Sequence, residues 1–398
     1  MIAELVAGAT LAIWLYLFFA RGFFWRGAET DDRLVPSGSR DQAPAAWPAV
    51  AAIVPARDEA AVIGANIGSL LRQKYPGRFS VVLVDDQSTD GTAQIARGAA
   101  EAAGAADRLI VLRTAEPPAG WTGKLWAMDR GFLHVQMEAE PPDYVLFTDA
   151  DIAYESPNTI RRLVRGALAR GTVLTSLMVR LRCESLAERL LVPAFVFFFA
   201  KLYPFAWVNN PRRRIAAAAG GCMLVRRDAL EAAGGLAAIH SALIDDCALA
   251  ALLKRQGPIW LGLTRRVLSL RPYPALADIR RMVVRSAYAE LRYSPARLVG
   301  TVLGMALIYL APPLLAIFAG GPAQMLATAA WALMVLAFLP MLLFYRRSPL
   351  WGLTLPLIAA IYTWFTVESA IEHRRGRGGA WKGRFQAEAP SARRIAGA

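Results

Sequence analysis

The sequence predicts an open, doubly wound α/β domain held between apolar helices at the two ends of the chain. Three observations predict it. Short β-branched runs alternate with helical stretches between residues 49 and 151. Acidic residues close most of those runs, at the strand ends where such sheets bind ligands. Apolar stretches of near-spanning length lie before and after this region. With 398 residues and 56% hydrophobic side chains, the chain is more apolar than a soluble domain of its size, and the excess is gathered in those stretches.

Each element has its own reason. Residues 5–20 (LVAGATLAIWLYLFFA) are uncharged, with Glu4 before them and Arg21 and Arg26 after. A cleavable signal has the reverse charge order. The run therefore reads as an uncleaved anchor (1–24) with its N-terminus outside and the next domain in the cytoplasm. Residues 25–48, polar and rich in Pro and Gly towards the end, read as a linker. AVAAIVPA (49–56), FSVVLVDD (79–86), RLIVLRT (108–114) and YVLFTDAD (144–151) read as buried parallel strands. AAVIGANIGSLLRQ (60–73) is the first intervening helix.

The later stretch 190–208 is strongly apolar but carries Pro193, Lys201 and Pro204. It fits either a buried core helix or a helix lying against the bilayer. The runs 299–319, 323–345 and 350–371 are each near spanning length, giving a C-terminal cluster of about three transmembrane helices (298–372). Arg346 and Arg347 mark a cytoplasmic turn. If all three runs cross, the basic tail (373–398, with Arg374, Arg375, Arg377, Lys382 and Arg384) ends outside, against the positive-inside tendency. The last run also holds Glu368, so a re-entrant or interfacial path is open. The domain between the anchor and this cluster is expected over 49–297.

Net charge is +14. In a chain with membrane runs this points to anionic headgroups, and no stacked-aromatic or finger motif points to nucleic acid. Cys183, Cys222 and Cys247 form no CxxC pair, which excludes a zinc knuckle or a disulfide framework and fits reduced thiols.

The chemistry-bearing residues fall in order along the domain. Pro55-Ala56-Arg57-Asp58-Glu59 closes the first strand, and Val84-Asp85-Asp86-Gln87-Ser88-Thr89-Asp90-Gly91 closes the second. The latter also reads as a turn and helix cap, which leaves the paired aspartates unexplained. Carboxylates there can accept hydrogen bonds from a nucleobase imide or a ribose. Lys124, in Gly120-Trp121-Thr122-Gly123-Lys124, can meet a phosphate as a point charge. Asp149 and Asp151 follow an apolar strand, where alternation sends both to one side. Hard cations take such oxygen ligands together with substrate phosphates. Gly220-Gly221 permits close backbone approach to a ligand, with Gly221 as the candidate contact, or makes a tight turn. Asp245 and Asp246 open a helical run, as a cap or as a carboxylate general base.

In this order, PARDE, VDDQSTDGT, WTGK, DAD, GGCMLVRR and IDD resemble the family 2 glycosyltransferases, inverting enzymes of the GT-A fold, over about residues 49–290. The resemblance implies a nucleotide-sugar donor with Pro55, Arg57, Asp58, Glu59 and Asp85 on the nucleotide side. It implies Asp86 as the uracil-contacting acid and Lys124 near the diphosphate. Asp149 and Asp151 become the acids that hold Mg²⁺ or Mn²⁺, and Asp246, beside Asp245, the catalytic base. The family pair is usually Glu-Asp, and the QxxRW element of processive members is reduced to Arg285 in Met282-Val283-Val284-Arg285-Ser286. That departure favours single transfer over a polysaccharide synthase or a ceramide-glucosyltransferase-like enzyme. GWTGKLWAMDRG and RSAYAELRYSP are most similar to hopene-associated glycosyltransferases. This implies a hopanoid-like lipid acceptor at a bacterial cytoplasmic membrane.

Overall fold

A computed structural model describes residues 1–39 and 44–379; Lys382 and Arg384 of the basic tail lie outside the described residues. The chain divides into two compact units. One comprises Glu29–Arg182 and Trp207–Pro272, the other Met1–Ala28, Cys183–Ala206 and the chain from Tyr273 onward.

The first unit is built on one sheet of eight strands. They are β1 (Val50–Ala56), β2 (Phe79–Asp85), β3 (Leu109–Arg113), β4 (Tyr144–Phe147), β5 (Ile152–Tyr154), β6 (Leu174–Arg180), β7 (Met223–Arg226) and β8 (Ile259–Ser269). The order is β3-β2-β1-β4-β7-β6-β8-β5. The first four pair in parallel, as the βαβ alternation requires. From β7 on the sheet is mixed: β7 runs antiparallel to β4 and β6, and β5 antiparallel to β8. Every residue of β1 is buried, which is why its sequence does not alternate. The helix Gly123–Gln136 lies close on β1 and β2 because Gly131 lacks a side chain; a Cβ there would come within 2.6 Å of Ile53 and 2.9 Å of Val84.

Part of the stretch expected as a linker is packed. Thr30 bridges to Leu263. Buried Asp31 accepts from Thr264 at 2.9 Å and pairs with Arg266 at 2.8 Å. Leu34 fills the space above Gly166.

Among the described residues, five helical segments are long and apolar enough to cross a membrane: Ile2–Phe19, Leu186–Val208, Pro295–Phe318, Gly321–Phe344 and Pro349–Arg374; all but Trp207 and Val208 fall in the second unit. Small residues form one seam, where Ala7 meets Ala323 and Ala327. Pro295–Phe318 contains a π-helical turn at Ala306–Leu310, and the carbonyl of Ile308 there accepts from Trp14 at 2.8 Å. Large apolar side chains face outward, with Phe318 81% and Met325 74% exposed, a surface suited to lipid rather than water. The end of the last helix packs beside the residues that precede Pro295. Glu368 pairs with Arg280, Ser369 Oγ donates to the Val284 carbonyl at 2.5 Å, and His373 stacks on Tyr293 at 4.4 Å. The start of that run packs back on the helix before it, where a Cβ on Gly352 would lie 2.8 Å from Val335.

Candidate active site

The ends of β1, β2 and β4 lie side by side, so the loops that follow them share one edge of the sheet. Two of those loops clasp each other. Asp58 N donates to Ser88 Oγ and Asp58 Oδ1 accepts from Thr89 N, both at 2.9 Å. Glu59 N donates to Thr92 Oγ1 and Ala60 N to Asp90. Asp58 (φ 50) and Gln87 (φ 59) both take the left-handed conformation, a strained arrangement that the reciprocal bonds hold. Asp85 caps its own turn by accepting from Ser88 N at 2.9 Å. Asp86 is fully buried. Its carboxylate lies 3.7 Å from Arg57, which also donates to the Asp86 carbonyl, and accepts from Thr114. Pro55 lies inside β1, buried.

Asp149 and Asp151 sit in the turn between β4 and β5, not on the strand, and their carboxylates meet different cations. Lys124 Nζ bridges Asp149 Oδ1 at 2.8 Å and Asp245 Oδ2 at 2.9 Å. Burial alone would lower the Lys124 pKa, but the two carboxylates override it and hold the ammonium charged. Lys124 is carried by the helix that Thr122 caps. The Thr122 N–H donates to the carbonyl of His240, whose ring packs on Trp121. Asp151 accepts from Ser269 Oγ at 3.0 Å and Arg271 Nε at 3.1 Å, and Arg271 reaches on to Glu59 at 2.6 Å. Burial, and then the Asp149 charge, raise the Asp151 pKa against the pull of Arg271 and Ser269.

Asp245 and Asp246 occupy the first turn of the helix Asp245–Leu253. Asp246 accepts from Gly220 N at 2.9 Å and from Cys247 N at 2.7 Å. Burial, and then the charge of Asp245, push its pKa up to about 6 against the opposing Lys124.

One point gathers these groups. A Cβ on Gly220 would stand 3.2 Å from Lys124 Nζ, 3.5 Å from Asp246 Oδ2 and 3.7 Å from Asp149 Oδ2. Gly221, the candidate contact from sequence, is buried against Val179 and Ile152, and its carbonyl accepts from Thr148. Gly220 is the glycine that faces the acids. Arg271 and Ser269 escaped sequence reasoning, although they sit at and just past the end of β8, where the rule of polar residues at strand ends would have found them.

Two acids here could contribute oxygen ligands to a divalent cation. Among the described residues no group of three or more His, Cys, Asp or Glu side chains could hold one. Asp149 and Asp151 are nevertheless mutually repelling acids of the type that a hard cation relieves, with further ligands drawn from phosphate oxygens. The donor set fits Mg²⁺ or Mn²⁺ on those terms.

The family model described as "Glycosyltransferase like family 2" matches residues 48–261, more than half of the chain. The chain belongs to that family. The glycosyltransferase is similar in fold to a mannosyltransferase from Pyrobaculum calidifontis solved with GDP-Man and Mn²⁺. The two share 21% identity and a TM-score of 0.51, covering 92% of this chain and 98% of that one. Mannosyl-3-phosphoglycerate synthase from Rubrobacter xylanophilus also matches, at 21% identity and TM-score 0.38, over 71% of this chain and 83% of that one. So does glucosyl-3-phosphoglycerate synthase from Mycobacterium tuberculosis with Mg²⁺ and UDP, at 19% identity and TM-score 0.38, over 65% and 83%. No curated protein sequence matches the chain significantly. The mixed sheet of this glycosyltransferase, with its carboxyl-edge acids, is the GT-A fold.

Proposed function

We propose that this glycosyltransferase moves a single sugar from a UDP-sugar to a hydroxyl of a membrane lipid, with inversion, at the cytoplasmic face of a bacterial membrane. The observation that carries the reading is the meeting of Lys124, Asp149 and Asp246 around Gly220. On this reading a phosphate-seeking cation, a metal-binding acid and a base would serve one substrate.

Asp246 takes the proton of the acceptor hydroxyl, and that oxygen attacks the anomeric carbon from the face opposite the leaving diphosphate. One displacement inverts the configuration. Lys124 offers its charge to the diphosphate and Asp245 holds Lys124 in place. Asp86, a buried acceptor at the β2 end, suits the imide N–H of uracil. The Pro55–Glu59 loop lines the nucleoside side. Asp149 and Asp151 would hold Mg²⁺ or Mn²⁺, which would supply Lewis-acid charge neutralisation for the leaving diphosphate.

A lipid acceptor is supported by the five apolar helical segments, and a hopanoid by the likeness of GWTGKLWAMDRG and RSAYAELRYSP. The reduced QxxRW element supports transfer of one sugar rather than a polymer. Membranes containing the enzyme, incubated with labelled UDP- and GDP-sugars and extracted hopanoids, test this. The expected product is a lipid with one sugar, labelled from the UDP donor. Label only from GDP-sugars would move the donor assignment, and a labelled polymer or no lipid product would overturn the reading.

A further inference from the structure

The chain between the apolar stretch Leu186–Val208 and Gly220 carries charge of one sign only. No Asp or Glu occurs between Glu188 and Asp228, whereas Arg212, Arg213 and Arg214 stand in a row just past Val208. At about 3.5 Å per residue, Arg212 can lie no more than about 14 Å from Val208. All three arginines are exposed. Arg213 lies over the ring of Trp207 at 5.0 Å, and among the described residues none of the three pairs with a carboxylate. The loop that presents them is pinned. Lys254, at the end of the helix Asp245–Leu253, donates to the carbonyls of Val208 and Ile215, both at 2.6 Å, and so closes the loop at its two ends. The Asn209 side chain donates to the Leu261 carbonyl at 2.9 Å and accepts from the Leu261 N–H at 2.7 Å. The helix that holds Lys254 also carries Asp246 in its first turn, so the arginine loop keeps a fixed place relative to the proposed base.

We propose that Trp207, Arg212, Arg213 and Arg214 form a docking surface for the headgroups of anionic phospholipids. This rests on the reading of the apolar helices as membrane segments. An apolar stretch that ends in Trp and runs straight into arginines places the indole at headgroup level and the guanidiniums against lipid phosphates. The planar guanidinium fork takes two phosphate oxygens at once, which an ammonium does not. A soluble phosphate would find the same charges, but the adjoining Trp207 and the apolar residues before it suit a phosphate that is carried on a lipid. Each arginine beside an anionic leaflet favours it by about fivefold, so three together make a strong preference for anionic over zwitterionic lipid.

Full-length enzyme in nanodiscs of mixed phosphatidylglycerol and phosphatidylcholine tests this without any turnover. One lipid or the other carries a photoreactive headgroup, and the labelled peptides are mapped by mass spectrometry. The stretch 207–215 is expected to label at least about tenfold more from phosphatidylglycerol than from phosphatidylcholine, and the preference to shrink as salt is raised. Changing the three arginines together (Arg212→Gln, Arg213→Gln, Arg214→Gln) is expected to remove the preference. The corresponding triple change to Lys is expected to keep most of it, because the charge stays. Excess glycerol phosphate is expected to leave the labelling in place; its loss would make the loop a site for soluble phosphate and overturn the lipid assignment. If the apolar helices are labelled while 207–215 is labelled equally from both lipids, or if the Gln variant keeps the preference, the docking surface is overturned and the membrane reading stands. If no lipid labels any part of the chain, both fall. Melting curves identify a variant that fails to fold, and the salt series on the wild type then decides.

Discussion

Asp246, the proposed base, combines a fixed position with a raised proton affinity. Two backbone N–H groups fix its carboxylate, while burial and Asp245 raise its pKa to about 6. Asp246→Asn keeps the shape and removes the proton acceptor, so kcat is expected to fall by about 10²–10⁴-fold while UDP-sugar affinity stays near wild type. Turnover close to wild type in a steady-state assay would remove the assignment. The sign of the pH dependence follows from the same group. The base works only as carboxylate, and that form is lost as pH falls through its pKa. A pH profile of kcat/KM is therefore expected to drop on the acid side of about 6, by about tenfold per unit. A flat profile down to pH 5 would contradict it. At this scale the sequence displayed the acids but not their pairings. Asp86 and Asp149 were visible as strand-end carboxylates, whereas the link from Asp151 through Arg271 to Glu59 spans three distant segments and no local pattern encodes it. Gly220 and Gly221 are neighbours of the same type, and only the packing of Val179 and Ile152 on one of them tells which faces the site.

Among elements, β1, β2, β4 and the first helix were legible because burial leaves an apolar run that ends in turn residues; β3, expected as a buried strand, lies at the edge of the sheet and is only half-buried. The antiparallel part was not. β5 has only three residues, and β7 follows a glycine turn that reads equally as a ligand loop. Asp149 and Asp151, the proposed metal ligands, fall in the β4–β5 turn, so strand alternation does not set where their carboxylates point. Gly131 sets how near its helix lies to β1 and β2, and Gly131→Ala is expected to cost about 1–3 kcal/mol by overpacking against Ile53 and Val84. Chemical denaturation measures it; an unchanged midpoint would mean that the helix shifts freely. The last apolar run raises a topological question that packing helps to answer. Its end lies beside Val284, Tyr288 and Tyr293, just before the helix that starts at Pro295. Its start follows Arg346 and Arg347 and folds back on Val335. We propose that this run enters and leaves by the cytoplasmic side, which also keeps Arg374, Arg375 and Arg377 there. Fluorescent-protein and alkaline-phosphatase fusions after residues 347 and 378 are expected to report the cytoplasm at both points. Opposite reports from the two would make the run a crossing helix.

For the whole molecule, the proposal is that acids far apart in the chain gather a cation and a nucleotide sugar at a single place on the sheet edge. Lys124 pairs with Asp149 and Asp245, and Arg271 with Asp151 and Glu59. UDP binding measured by calorimetry is expected to weaken by more than about tenfold when EDTA removes the metal, and Asp151→Ala to weaken it similarly. Identical affinities in all three conditions would leave the acids without a metal role. The most direct measurement is a crystal or cryo-EM structure of the enzyme with Mn²⁺ and UDP. The metal is expected on Asp149 and Asp151, the base of the nucleotide at Asp86 and the diphosphate beside Lys124, with Asp246 facing the open side. Nucleotide density away from Gly220, or a metal held by other residues, would contradict it.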